Sequence, residues 1–406
     1  MSLLEKIKTY SEKINLSADK KEKLNSFLKN GFPTIKNEEW KYTSLKKIVS
    51  DDYSINTIGK KLSELEIRNH SLGFDNKIVF VDGVLVASPS INNVEISGFS
   101  EFTSNDLDSI SQLNYSLAKN GYTISVLDNS IIKEPIEILF FNTVEGNFSQ
   151  YRNILSVGKS AEVKFIEKVQ NINCNTSFVN HFTEILCAQN AKIEYNKIQN
   201  NTAGSRLIDS MDVYQKTNSV CSINTLIFGG EFIRNNLNFE QQGENCESNM
   251  NGISVLNNCQ LADNHTFVDH KSSNCRSNEM YKGIYLDKSK GVFNGKIMVR
   301  PDSQKIDAFQ ANNTLLLSED AVINSKPQLE IYADDVKCSH GCTIGQLDST
   351  SLFYMRSRGI GLKEARALLT YAFASEAINN ISIESVILLA KMLLTKKLNV
   401  DLDFSL

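Results

Sequence analysis

The stretch Asp334-Asp335-Val336-Lys337-Cys338-Ser339-His340-Gly341-Cys342-Thr343-Ile344-Gly345-Gln346-Leu347-Asp348 places two thiols and an imidazole at alternate positions, just ahead of a helical C-terminus. On an extended strand, residues two apart point the same way, so Cys338, His340 and Cys342 are predicted to line one face. An ordinary buried strand face would carry Val, Ile or Leu; thiolate and imidazole instead suit iron-sulfur clusters, zinc and copper. Same-face neighbours stand roughly 6.5 to 7 Å apart along the backbone, whereas zinc holds sulfur at about 2.3 Å. The row therefore reads as an incomplete site, finished by residues of a partner chain, with Gly341 as a point where the strand can kink.

Continuing through Leu352-Phe353-Tyr354-Met355-Arg356-Ser357-Arg358-Gly359-Ile360, the segment closely resembles the signature of the SufB/SufD family of iron-sulfur cluster assembly proteins. Lys337 to Gly341 and Gly345 to Asp348 are similar to the SufD-like branch, in which Lys-Cys-Ser-His-Gly-Ala continues into Gly-Gln-Leu-Asp. The SufB-like Glu-His-Glu-Ala is absent. Glu38-Glu39-Trp40-Lys41-Tyr42-Thr43 resembles a second motif of that branch, near its N-terminus. For His340 and Cys338 the resemblance implies ligation of a nascent iron-sulfur cluster, held transiently at the junction with a SufB-like subunit. Cys342 stands where the family usually has Ala; it gains no ligand role from the resemblance and reads as a small hydrophobe. The resemblance also implies a right-handed parallel β-helix core between helical ends, and terminal helices that dock a SufC-like ABC ATPase. It settles neither whether a flavin binds nor whether a homodimer precedes the heteromer.

At 406 residues the chain exceeds the length at which one compact core keeps growing, so several domains or an elongated repetitive architecture are expected. A hydrophobic fraction of 41% supports a real core. Net charge of -4 and a pI near 5.9 exclude the basic stripe that nucleic-acid binding requires. The N-terminal residues lack an apolar signal core, and the apolar run Val386 to Ala390 is broken by Lys391, so neither export nor a membrane span is read. Eight scattered cysteines with no CxxC pair read as reduced thiols of a cytoplasmic chain. Cys174, Cys187, Cys221, Cys246, Cys259 and Cys275 are assigned to buried packing.

Helices are predicted first, with Ser17 capping Ala18 to Lys29 and Asn30-Gly31-Phe32-Pro33 ending it. Trp40 reads as an anchor that packs these helices on the core. Ile78 to Val81, Asp82-Gly83 and Val84 to Val86 form a hairpin signal, and a helical segment runs from about Leu107 to Lys119. From Thr123 to Lys337 short strands dominate. Asn200-Asn201, Asn235-Asn236, Asn257-Asn258 and Asn312-Asn313 are read as corners, because Asn tolerates left-handed backbone. Strand starts near Ala161, Ala191, Ser219, Glu247 and Cys275 recur every 28 to 30 residues. That period fits coils of a parallel β-helix or an ordinary β-sandwich; the resemblance selects the former. The expected organisation is a mostly helical part with a small hairpin over 1–122, a parallel β-helix over 123–345 and a helical part over 346–406. In the last, one short helix is closed by Gly359, a second runs from Leu362 to about Asn379, and Ser382 caps a third from Ile383 to Lys397.

No GxxxxGK[ST], HExxH, GxSxG or GxGxxG motif occurs, so a non-catalytic subunit is expected, with ATP hydrolysis supplied by a partner. Two rivals stand beside this reading. A β-helix polysaccharide lyase or hydrolase would recruit Asp302, Asp307, Glu319 and Asp320; a purely structural partner would use the Cys338, His340 and Cys342 row only for packing. His265 and His270 fall on opposite faces of a strand, and His70 and His181 receive no assignment.

Overall fold

Each coil of this chain contributes one strand to each of two facing sheets. A computed structural model describes residues 2–99 and 108–400, and successive strands enter opposite ten-stranded sheets. The first sheet runs from Val94–Gly98, antiparallel to Tyr122–Val126, through Asn147–Val157, Thr176–Cys187, Gly204–Gln215, Phe232–Gln241, Leu261–His270 and Lys290–Val299 to Val322–Ile331. The second runs from Ile136–Asn142 through Glu162–Asn171, Lys192–Gln199, Val220–Ile227, Glu247–Leu256, Arg276–Tyr285 and Ile306–Leu316 to Val336–Gly345. Coil-to-coil pairs are parallel: Glu162 lies beside Lys192, Lys192 beside Val220, Val220 beside Glu247, and Glu247 beside Arg276. The predicted strand starts thus fall within a residue of the observed ones, and the core is a parallel β-solenoid.

Corners repeat with the strands. Ser160, Asn190, Asn218, Asn245 and Asn274 all adopt positive φ of 53° to 60°. The Asn218 amide donates to Asn190 Oδ1 (3.0 Å), and the Asn245 amide donates to Asn218 Oδ1 (3.2 Å). Asparagine suits this stack because its short amide satisfies its neighbour while the backbone turns left-handed. Of the expected corners, Asn200-Asn201 lies in the connection between Lys192–Gln199 and Gly204–Gln215, and Asn258 turns at φ 53°. Asn235-Asn236 and Asn312-Asn313 are not: they lie inside strands Phe232–Gln241 and Ile306–Leu316. Buried Asn235 exchanges hydrogen bonds there with Gln199 and donates to Asn264 Oδ1, so its polarity is satisfied across the interior instead of at a turn.

Both outer faces are partly covered. Helices Leu3–Glu12 and Ala18–Asn30, the latter capped by Ser17 and ended by Gly31 at φ 71°, form a hydrophobic cluster with Trp40, Phe148, Phe178, Ile208 and Phe232 on the first sheet. Arg234 lies 4.0 Å over the Trp40 ring. The hairpin forms with Asp82 and Gly83 at positive φ, but its first strand, Lys77–Val81, also pairs in parallel with Ile136–Asn142 and so becomes part of the second sheet. Helix Ser109–Leu117 matches the expected segment; Leu107 lies outside the described residues. Helices Leu362–Ile378 and Glu384–Leu398 lay Ala374, Ile378, Val386 and Leu394 against Ile198, Leu226, Phe228, Ile253 and Ile284 on the second sheet. Ser382 does not cap the last helix, whose cap position is Ile383; its hydroxyl is taken by Glu194.

Candidate functional site

The last strand, Val336–Gly345, pairs on one side with Ile306–Leu316, and among the described residues no strand pairs with its other edge. Its register places Cys338 beside Ala308, His340 beside Gln310 and Cys342 beside Asn312. Those three neighbours are buried, and one coil further down stand Ser277, Glu279 and Tyr281, buried as well. Alternation along a strand therefore aims Cys338, His340 and Cys342 all toward the space between the sheets. Because this is the terminal coil, that space is uncovered above them: His340 and Cys342 are exposed and Cys338 is half-buried.

The three donors have different surroundings. His340 stands over Gln310, whose amide donates to Glu279 Oε2 (2.7 Å). Burial, and then the nearby Asp307 charge, push the Cys338 thiol up. Cys342 donates its S–H to Ser325 Oγ (3.2 Å) on the facing sheet. Gly341 introduces no kink, since the register continues unbroken through Ala311 and Gly341; a side chain there would meet open space. Ile331, Tyr332 and Ile344 leave apolar surface exposed at this end. Asp348 caps helix Ser349–Ser357 through the backbone N–H of Ser351 (2.7 Å), and Phe353 and Tyr354 on that helix are exposed.

Of the cysteines assigned to packing, Cys174, Cys187, Cys221, Cys246 and Cys275 are buried; Cys259 is exposed, because it falls in the turn after strand Glu247–Leu256. His270 is buried at Ser277 Oγ (3.0 Å), while His265 bridges Asp263 and Glu39.

A second donor set was not assigned from the sequence. Glu167, His181 and Asp209 meet in the interior between the sheets, and among the described residues they are the one group of at least three His, Cys, Asp or Glu whose donor atoms all lie within 4.8 Å of one another. Burial, with the Asp209 charge, pushes Glu167 up, and burial lowers His181 to about 4. His181 and Asp209 are register partners one coil apart, a relation visible only once the coil length is known.

The family model for the core domain of SUF system iron-sulfur cluster assembly proteins matches residues 140–373, and that for the SufBD N-terminal region matches 4–70. The chain belongs to the SufB/SufD family. Within that family it is similar to the iron-sulfur cluster assembly protein SufD of Escherichia coli, with 31% identity covering 87% of this chain and 86% of that protein. A SufBD family protein of Synechocystis is 28% identical over 87% of this chain and 85% of its own length, and SufD of Bacillus subtilis 22% over 77% and 72%. The chain is thus a SufD-like iron-sulfur cluster assembly protein. Among the described residues no helix is long and apolar enough to cross a membrane.

Proposed function

We propose that this chain is the SufD-like scaffold subunit of a cytoplasmic iron-sulfur cluster assembly complex, joined to a SufB-like subunit at the open end of its solenoid. His340 and Cys338 contribute ligands to a cluster that the partner completes and that resides there only in transit. The observation that carries this reading is the row of inward-facing donors left uncovered beside an unpaired strand edge. Such an edge is a template for strand addition. A partner strand laid along Val336–Gly345 would continue the second sheet, cover Ile344 and Tyr332, and bring its own donors over His340. Cys342 stays outside the ligand set, with Ser325 as its partner.

In this reading the scaffold is non-catalytic. A SufC-like ABC ATPase docks on the helices of 346–406, where Phe353, Leu362, Leu388 and Met392 are exposed, and supplies the hydrolysis. In isolation the same edge serves a homodimer. Neither nucleic acid nor membrane takes part.

The test is co-expression of the full chain with SufB-like and SufC-like partners. His340→Ala and Cys338→Ser leave the complex assembled and lower its iron and sulfide content, whereas Cys342→Ala leaves that content intact. Unchanged iron and sulfide in the His340→Ala complex refutes the ligand role, and a chain that captures neither partner refutes the subunit reading.

A further inference from the structure

The interior of the early coils holds polar side chains where a solenoid ordinarily packs aliphatic ones. Glu167 from strand Glu162–Asn171 meets His181 from Thr176–Cys187 and Asp209 from Gly204–Gln215, all within 2% of full burial. Each carboxylate has one oxygen anchored. Tyr195 donates its hydroxyl to Glu167 Oε2 (2.7 Å), while Lys197 and Gln199 each reach Asp209 Oδ2 at 3.2 Å. The other atoms converge: Glu167 Oε1 lies 3.9 Å from His181 Nδ1, and neither Asp209 Oδ1 nor either His181 nitrogen has a hydrogen-bond partner among the described residues.

Buried polar atoms without partners are costly and rare, and an ion is one of the few things that explains several in one place. Two ligands about 2.1 Å from one metal stand about 3 to 4 Å from each other, the spacing of Glu167 Oε1 and His181 Nδ1. Hydrogen bonds that fix the far oxygen of a carboxylate while leaving the near one free are what orients metal ligands. We propose that Glu167, His181 and Asp209 bind one divalent first-row transition-metal ion inside the solenoid. One imidazole and two carboxylates suit Fe2+, Mn2+ or Zn2+ over softer ions. The bound ion ties two neighbouring coils of the first sheet to the opposite strand of the second. It is a structural staple, independent of the donors at the open end.

The probe is Co2+ incubated with the full-length chain, followed by removal of excess with chelator and gel filtration. The wild-type chain and the His340→Ala variant each retain one equivalent by mass spectrometry, and Asp209→Asn and His181→Gln retain less than a tenth of it. Should those variants not fold, X-ray absorption of the wild-type chain decides: the expected shell has nitrogen and oxygen neighbours with an imidazole signature and no sulfur. Retention of no metal by the wild-type chain, equal retention by folded Asp209→Asn, or a shell containing sulfur overturns the assignment.

Discussion

Asp263 is the buried charge on which docking of the N-terminal segment turns, and its replacement by Asn has a pH-dependent cost that can be worked out. Its carboxylate accepts from Arg234 (2.7 Å) and from Thr43 Oγ1, and pairs with His265 Nε2 (2.9 Å). Arg234 in turn covers the Trp40 ring and donates to the Glu39 carbonyl (2.8 Å). Burial works to raise this carboxyl; Arg234, then His265 and Thr43, outweigh it and hold it at about 2, against an ordinary 3.8. Since the folded value lies below the unfolded one, the stabilisation is fully present above about pH 4 and is lost as pH falls through 2. At about 1.4 kcal/mol for each tenfold change in proton affinity, that portion amounts to about 2 kcal/mol. Trp40 is the only tryptophan, so its fluorescence in urea reports this joint directly. Between pH 5 and pH 2 the wild-type advantage over Asp263→Asn shrinks by about 2 kcal/mol, roughly half a molar in urea midpoint for a chain of this size. A variant that keeps the wild-type acid response over that interval refutes the role given to Asp263.

Three further outcomes are expected. Asn218→Ala forces alanine to φ 59° and removes the link between Asn190 and Asn245, which lowers stability by about 1 to 2 kcal/mol in chemical denaturation; Asn218→Gly recovers the strain component. Ile378→Ala empties a fully buried site between the C-terminal helices and the second sheet, at a cost of about 2 to 5 kcal/mol, and limited proteolysis then cuts 346–398 before the solenoid. Burial raises Glu279 from 4.5 to about 7, so the folded chain holds this proton more tightly and loses stability as pH rises from 4.5 to 7. Glu279→Gln removes that loss, gaining up to about 3 kcal/mol above pH 7 and nothing below pH 4.5, as thermal melts across that range would reveal.

The second sheet was legible because small residues recur once per coil immediately before its strands, as at Ala161, Ala191 and Ser219. Most of the first sheet was not. Phe232–Gln241 carries Asn235 and Gln241 inward and satisfies them with Gln199 and Ser248, so the apolar alternation that marks a half-buried strand is missing. The placement of Cys338, His340 and Cys342 on one face followed from spacing alone; their exposure did not, since it depends on the solenoid stopping at this coil. Glu167, His181 and Asp209 lay beyond local reading because they become neighbours only through coil register. Ser382 looked like a helix cap because the competing acceptor, Glu194, comes from a strand 188 residues earlier.

A stack in which each coil touches chiefly the one before and the one after is also a ruler. Inserting or deleting one whole coil would move the uncovered end relative to the first coils by a single strand spacing, about 4.8 Å, without disturbing either terminus. The reach from the helices laid on the middle coils to the terminal donors is therefore adjustable only in discrete increments.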